Sequence, residues 1–250
     1  MNHRRSLLIT TTSLMAAALL AGCGSDSNDN IGGSNDNMSP AVETSREYQV
    51  TVTNLTAAQP FSPLAVVVHD ADWAAYTVGS PASVPLERIA ESGDNGDFLT
   101  EATDSDDVYT AQSGTGVLLP GLSETMELET NDTGAIYLSV VTMLVNTNDA
   151  ITGMNKIDIA DLAVGETISH HLRSYDAGTE ANSETADTIP GPAAAGGSQE
   201  GFNAARDDLL DQVLVHPGVV TSDDGLVSST LTQVNRWDNP VAHLLIERIR

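Results

Sequence analysis

The sequence predicts an all-β protein built as an antiparallel β-sandwich with short helices in its loops. Short stretches with strand-like patterns recur along the chain, and turns rich in Asn, Asp and Gly separate them. Helical patterns are few and short, which argues against a helix-covered parallel sheet. About 205 residues from Arg46 onward suit one β domain of generous size.

Five segments carry the strand signal. Between Tyr48 and Thr53, apolar and polar residues alternate with the period of a half-buried strand. Leu64–Val68 is a short apolar run rich in β-branched residues, and Met126–Glu129 alternates between apolar residues and glutamate. Ile136–Val145 is the most apolar strand, and Val241–Ile249 is the predicted closing strand.

Two segments favour short helices. Pro85–Ser92 has proline near its first position and Gly93 just past its end, the usual start and stop signals. Phe202–Asp211 is the second candidate. Gly191–Gly201 has the composition of a linker, but the residues after it are too few for a second core. The sequence therefore predicts a single domain over residues 46–250.

The first residues have the pattern of an export signal. Arg4 and Arg5 precede the apolar run Leu7–Leu20, and Leu20-Ala21-Gly22-Cys23 resembles the lipobox of bacterial lipoproteins. We therefore predict a signal peptide over residues 1–22 and a lipid on Cys23, the single cysteine of the chain. The alternative is an ordinary secretory peptide that happens to carry a cysteine.

A lipid on Cys23 would make the membrane a partner and place the protein in the bacterial cell envelope. Residues 23–45 are rich in Gly, Ser, Asn and Asp and predict a flexible tether. Gly24, in place of aspartate, favours the outer membrane over the inner one by analogy with enteric bacteria. The sequence leaves open whether the domain is periplasmic or surface-exposed.

The chain is strongly acidic, with a formal charge of −25. Removing the leader and its two arginines leaves eight basic against 35 acidic residues, a charge of −27. Such a surface repels nucleic acid and anionic headgroups, so nucleic acid is not an expected partner. It attracts cations.

Catalytic signatures are missing from the sequence. It has no G-x-S-x-G elbow, no H-E-x-x-H helix and no phosphate loop, since Lys156 is its only lysine. The histidines lack zinc spacing, and His69, His171 and His243 lie in strand-like stretches that favour structural roles. We predict a protein that is not an enzyme. An exported hydrolase with a triad assembled from distant residues stays open as the alternative.

Acidic loops offer candidate metal ligands. Asp94–Asp97, Asp104–Asp107 and Asp223–Gly225 look like fragments of calcium loops, but none continues into the twelve-residue pattern, so solvated turns are expected. Asp149 follows the most apolar strand, and Tyr175–Asn182 carries two carboxylates four residues apart around a glycine. If these two loops pack together, three carboxylates meet and require a hard cation such as calcium.

The chain resembles the spondin domain family in five segments that occur in family order. These are Tyr48–Leu64, Val78–Asp94, Val140–Ala150, Tyr175–Glu184 (YDAGTEANSE) and Arg236–Ile249. The resemblance implies an eight-stranded antiparallel sandwich similar to calcium- and lipid-binding C2-type modules.

The resemblance also implies a calcium site formed by Asp149, Asp176 and Glu180. Glu180 departs from the pattern of the animal members, which usually have aspartate there. The implied function is a non-enzymatic binding or adhesion module with an unknown protein or glycan ligand; a structural envelope protein whose ion only clamps loops is an alternative. The cysteines and thrombospondin-type repeats of animal spondins are missing, so their matrix partners do not transfer.

Overall fold

Nine strands and two helices are found in a computed structural model that describes residues 45–132 and 134–250. In chain order they are β1 (Arg46–Asn54), β2 (Ala65–His69), α1 (Val84–Ser92), α2 (Gly96–Thr103), β3 (Val108–Ser113), β4 (Ser123–Thr130), β5 (Tyr137–Met143), β6 (Ala150–Asp158), β7 (Thr167–Asp176), β8 (Leu214–Val215) and β9 (Ala242–Arg248). The prediction of an all-β fold is confirmed, and each of the five predicted strands matches one of these elements.

The strands form an antiparallel arrangement in the order β3-β2-β5-β6-β7-β9-β1-β4. Strand β7 belongs to both layers of the sandwich. Its first part, Thr167–Leu172, pairs with β9, and its last part, Arg173–Asp176, pairs with β6. The two-residue strand β8 adds to the end of β7. Because β7 ends beside the start of β6, the loops after β5 and after β7 come to the same edge.

The main core lies between the two layers. Tyr48, Val50 and Val52 of β1 are fully buried, as their alternation with polar residues predicts. They pack with buried residues from both layers, among them Val66, Val68, Leu138, Val140, Leu172, Leu244 and Ile246.

A second core lies under the helices, on the outer face of the β2–β5–β6 layer. Helix α1 contributes Leu86 and Ile89, and it begins and ends at the predicted signals. The Ser83 side chain accepts a hydrogen bond from the Leu86 N–H at 3.3 Å. At the other end, Gly93 adopts φ 72° and its N–H donates to the Ile89 carbonyl.

Two expectations about helices need correction. Phe202–Asp211 is not a helix, because its main-chain groups bond to other parts of the fold: the Asn203 N–H donates to Glu91 and the Asp207 N–H to the Thr179 carbonyl. Conversely, the Asp94–Asp97 segment is not merely a solvated turn. Helix α2 begins there, and Asp94 Oδ1 accepts the Gly96 N–H at 2.9 Å.

No helix in the described part of the chain is long and apolar enough to cross a membrane. The predicted signal peptide and Cys23 lie outside the described residues, as does the tether up to residue 44. They stay predictions.

Candidate metal centre

Asp149 lies in the tight turn between β5 and β6 and is fully buried. The turn is closed by Thr147, whose hydroxyl donates to the Leu144 carbonyl at 2.6 Å and accepts the Ala150 N–H at 3.0 Å. This leaves the Asp149 carboxylate directed at the neighbouring loop rather than at its own turn.

That neighbouring loop begins at Asp176, the last residue of β7. Gly178 has φ 73°, a conformation that side chains other than glycine rarely adopt, so the predicted sharp turn occurs at this glycine. A Cβ atom there would lie 2.5 Å from the Gln212 carbonyl oxygen. The Asp176 carboxylate binds the loop from inside: Oδ1 accepts the Gly178 N–H at 2.9 Å and Oδ2 accepts the Asn182 side chain at 2.7 Å.

The two loops are in direct contact through Asp149. Its Oδ2 accepts the Thr179 N–H at 2.7 Å, the Glu180 N–H at 3.1 Å and the Thr179 hydroxyl at 3.2 Å. The Asp149 carbonyl also accepts the Ala177 N–H at 3.3 Å. The sequence-predicted residues Asp149, Asp176 and Glu180 therefore share one edge of the sandwich, all less than a tenth exposed.

Burial and nearby negative charge make two of these carboxyls, those of Asp149 and Glu180, hard to ionise. Burial, followed by the nearby Asp176 charge, raises the pKa of Asp149 to about 7. The three hydrogen bonds from Thr179 and Glu180 lower this pKa, but their effect is smaller. Burial, followed by the charges of Glu91 and Asp149, raises the pKa of Glu180 to about 8. Both shifts reflect burial and neighbouring negative charge, a deficit of partners that would stabilise the ionised forms.

Unpartnered atoms point to the same deficit. Within the described ranges, six buried side-chain atoms lack a hydrogen-bond partner, and five of them are carboxylate oxygens. The six are Glu87 Oε1, Glu91 Oε1, Asp149 Oδ1, Glu180 Oε2, Glu184 Oε2 and His216 Nε2. Buried polar atoms are rarely left unpaired, so free oxygens on Asp149 and Glu180 are suitable ligands for a hard cation.

The side chains nevertheless do not form a finished cage. Among residues 45–132 and 134–250, no three His, Cys, Asp or Glu side chains are grouped as a ready metal-binding set. The donor chemistry and the free oxygens of Asp149 and Glu180 fit calcium. Asp176, whose two oxygens both accept hydrogen bonds, would have to exchange a partner to become a ligand.

A family comparison agrees with this architecture. The Spondin_N family model matches residues 46–192, more than half of the chain. The chain belongs to the Spondin_N family. Comparison with curated proteins gave no match. Asp149, Asp176 and Glu180 all lie within the Spondin_N segment, and membership of this family supports a non-enzymatic binding module.

Sequence reasoning missed further acidic residues of the Spondin_N domain at this edge. Glu87 and Glu91 on α1 are both almost fully buried, and so is Glu184, whose pKa burial raises to about 7. A signal for the first two is visible in the sequence: two glutamates four residues apart share a helix face, where like charges repel. Glu87 and Glu91 lie on the same side of α1 as the buried Leu86 and Ala90.

Two of the other acidic segments have structural partners. Asp97 pairs with Arg88 at 2.9 Å on the surface, and Asp224 closes a short 3-10 turn with Thr221. Three of the histidines lie in strands, where the sequence favoured structural roles. His171 and His243 face each other across β7 and β9, and His69 bonds to Ser139 at 2.8 Å.

A cavity of about 470 Å³ lies between the segment before α1 and strands β6 and β7. Tyr76 and Tyr175 form part of its wall with their rings 5.4 Å apart, and Met154 and Lys156 line it as well. Tyr175 of β7 immediately precedes Asp176, so the wall of this cavity and the candidate ligands are adjacent in sequence.

Proposed function

We propose that this Spondin_N protein is a calcium-binding, non-enzymatic binding or adhesion module, held on the bacterial cell envelope by a lipid on Cys23. The observation that carries the calcium assignment is the Asp149 carboxylate. One oxygen joins the two loops and the other is buried without a partner. A buried unpaired charge is costly, and a bound cation would remove that cost.

Asp149, Asp176 and Glu180 would hold the ion, with carbonyl oxygens and water completing six to eight ligands. Calcium supplies positive charge where the domain has a surplus of buried carboxyls. The chain's own residues hold the two loops in place. Asp149 joins Thr179 and Glu180 to the β5–β6 turn, and Asp176 fixes the loop around Gly178 by hydrogen bonds. A ligand surface bordering the Tyr175 cavity would then have one defined shape.

A structural envelope protein is the second candidate. Three hydrogen bonds to Asp149 Oδ2 already join the loops, which favours an ion that only reinforces them. The exported-hydrolase alternative requires a serine and a histidine that a substrate can reach. Ser139 and His69 are hydrogen-bonded to each other, but both are buried, so this pair does not support a hydrolase.

The test is a calcium titration by calorimetry, followed by capture from envelope and host extracts in calcium or in EGTA. We expect calcium binding and a protein or glycan captured only with calcium. Calcium binding without such capture would favour the structural candidate, and failure to bind calcium would contradict the proposal. Turnover of an ester, glycoside or peptide substrate that is lost in a site variant would favour the hydrolase.

The lipid anchor has its own test. Cys23→Ala removes the sulfur that would carry the lipid, so the protein should move from the membrane fraction to the soluble fraction or accumulate as a precursor. Cell fractionation with immunoblotting measures this. Membrane association equal to that of the wild type would exclude Cys23 as the anchor.

A further inference from the structure

The cavity between the segment before α1 and strands β6 and β7 has the dimensions of a small-ligand site. Its volume of about 470 Å³ lies within the range of roughly 300–1,000 Å³ that is usual for such sites. Its lining is mostly apolar or aromatic and consists of Ala74, Tyr76, Thr77, Val78, Met154, Asn155, Lys156 and Tyr175. Lys156 is the one charged residue in this lining.

Two hydrogen bonds of the Asn155 side chain fix the shape of the cavity. Its Oδ1 accepts the Ala75 N–H at 2.8 Å and its Nδ2 donates to the Tyr76 carbonyl at 2.6 Å, which joins the segment before α1 to strand β6. The Tyr76 ring lies 5.4 Å from the Tyr175 ring of β7. Tyr76 is buried and Tyr175 is half-buried, so the Tyr175 ring is accessible to a ligand in the cavity.

An irregularity in strand β6 places Lys156 at the cavity. The pairing of β5 with β6 shifts between Leu138 and Val140, so that Asn155 and Lys156 together oppose Ser139. Lys156 has φ 52°, a left-handed conformation that is uncommon outside glycine. The Ser139 hydroxyl accepts the Lys156 N–H at 3.1 Å and donates to Asn155 Oδ1 at 3.1 Å. Such bulges redirect side chains, and here the redirected residue is the only lysine of the chain.

The charge of Lys156 has no carboxylate partner. Its Nζ donates to the Ala71 carbonyl at 2.6 Å, and the other two ammonium protons have no acceptor among the described residues. Neither Asp70 nor Asp72, which flank Ala71, forms an ion pair with it, since every ion pair within residues 45–132 and 134–250 uses an arginine. An exposed cation therefore borders an otherwise uncharged cavity, and an anionic group of a ligand would be complementary to it.

We propose that this cavity binds an acidic sugar, whose carboxylate accepts hydrogen bonds from Lys156 Nζ and whose ring packs on Tyr175. A tyrosine ring combines a flat apolar face with a polar hydroxyl, and a sugar ring has an apolar C–H face and a rim of hydroxyls that suit both. Thr77, exposed in the cavity wall, adds a further hydroxyl. This inference rests on the proposed binding function and names the class of its ligand.

The test is a calorimetric titration of the full chain with digalacturonate in calcium buffer, compared with the methyl ester of the same sugar. The ester keeps both rings and removes both charges, and a titration into protein-free buffer subtracts the heat of calcium with the sugar. We expect digalacturonate to bind about tenfold more tightly or better, because a hydrogen bond to a charged group commonly contributes that much. Equal affinities, or no binding of digalacturonate, would overturn the inference. Benzoate is an anion with a flat ring and no hydroxyls, and tighter binding of benzoate would overturn the assignment to a sugar.

Lys156→Gln and Arg250→Gln form a matched pair, because each removes one positive charge. Arg250 pairs with Glu129 of β4 and does not line the cavity. We expect digalacturonate affinity to fall about tenfold or more in Lys156→Gln and to stay at the wild-type value in Arg250→Gln. Wild-type affinity in Lys156→Gln, or an equal loss in both variants, would overturn the inference.

Thermal melting checks that Lys156→Gln folds. The Lys156 side chain is exposed and its bond to Ser139 comes from the main chain, so the variant should melt with the wild type. Should it melt lower, Lys156→Arg decides. This variant keeps the positive charge, so it should bind digalacturonate more tightly than Lys156→Gln does, and equal weakening in the two would overturn the inference.

The capture experiment separates this inference from the function on which it rests. If digalacturonate does not bind but calcium-dependent capture of a protein or glycan succeeds, the acidic sugar is wrong and the proposed function stands. If digalacturonate binds through Lys156 but the wild type binds no calcium, the cavity assignment stands and the calcium assignment fails.

Discussion

Asp149→Asn should abolish the thermal stabilisation that calcium gives to the wild-type protein. Calcium at about a hundred times its dissociation constant adds roughly 2.7 kcal/mol to the folded state. For a domain of this size, that corresponds to a melting shift of about 5–10 °C. In the variant, the amide oxygen can still accept the Thr179 and Glu180 N–H groups. The amide NH₂ then occupies the position of Oδ1 and cannot bind a cation.

Differential scanning calorimetry with calcium and with EGTA measures the shift. The control is Asp106→Asn, which removes a carboxylate from an exposed turn that also resembles a calcium-loop fragment. It should keep the full shift. A calcium-induced shift in Asp149→Asn equal to that of the wild type would remove Asp149 from the site.

In calcium-free buffer, the free energy of unfolding should fall as the pH rises from 5 to 8. The folded state holds the pKa of Asp149 near 7, of Glu184 near 7 and of Glu180 near 8, whereas unfolded carboxyls titrate near 4. Between these values the folded state binds more protons than the unfolded state, so stability is lost as the pH increases. For Asp149 alone, at about 1.4 kcal/mol per pKa unit, the loss between pH 5 and 8 is roughly 3 kcal/mol.

Two histidines act in the opposite direction at lower pH. Burial lowers the pKa of His69 and His216, so protonation of the unfolded chain reduces stability below about pH 6.5. The fall with increasing pH should therefore be steepest between about pH 6 and 7, and it should lessen towards pH 8 as Asp149 and Glu184 ionise in the folded state. Bound calcium favours the ionised carboxylates, which should flatten this slope and make calcium affinity rise over the same interval.

Urea unfolding at half-unit pH steps, with and without calcium, measures both effects. Asp149→Asn should have a shallower slope in calcium-free buffer because one of the shifted groups is gone. Stability that rises between pH 6.5 and 8 without calcium would show that these carboxyls are not held protonated in the folded state.

Local signals in the sequence predicted the elements that depend on neighbouring residues. The alternation around Val50 identifies a strand with one buried face, and Pro85 and Gly93 delimit α1 because capping is decided within one helical turn. The prediction of a solvated turn at Asp94–Asp97 was incomplete, because the residue types that favour turns also begin helices. The helix expected at Phe202–Asp211 failed because distant partners took its main-chain groups.

The candidate site shows the same difference between what local sequence predicts and what the folded chain decides. The sequence by itself, with its likeness to spondins, determined the all-β class, the acidic surplus, and Asp149, Asp176 and Glu180 as candidate ligands. Only the tertiary structure decided which acidic residues lie buried beside them. Packing of α1 against the sandwich buries Glu91, whose carboxylate accepts the Asn203 N–H across 112 positions of sequence. No local pattern records that approach, because burial and charge proximity are properties of the folded chain.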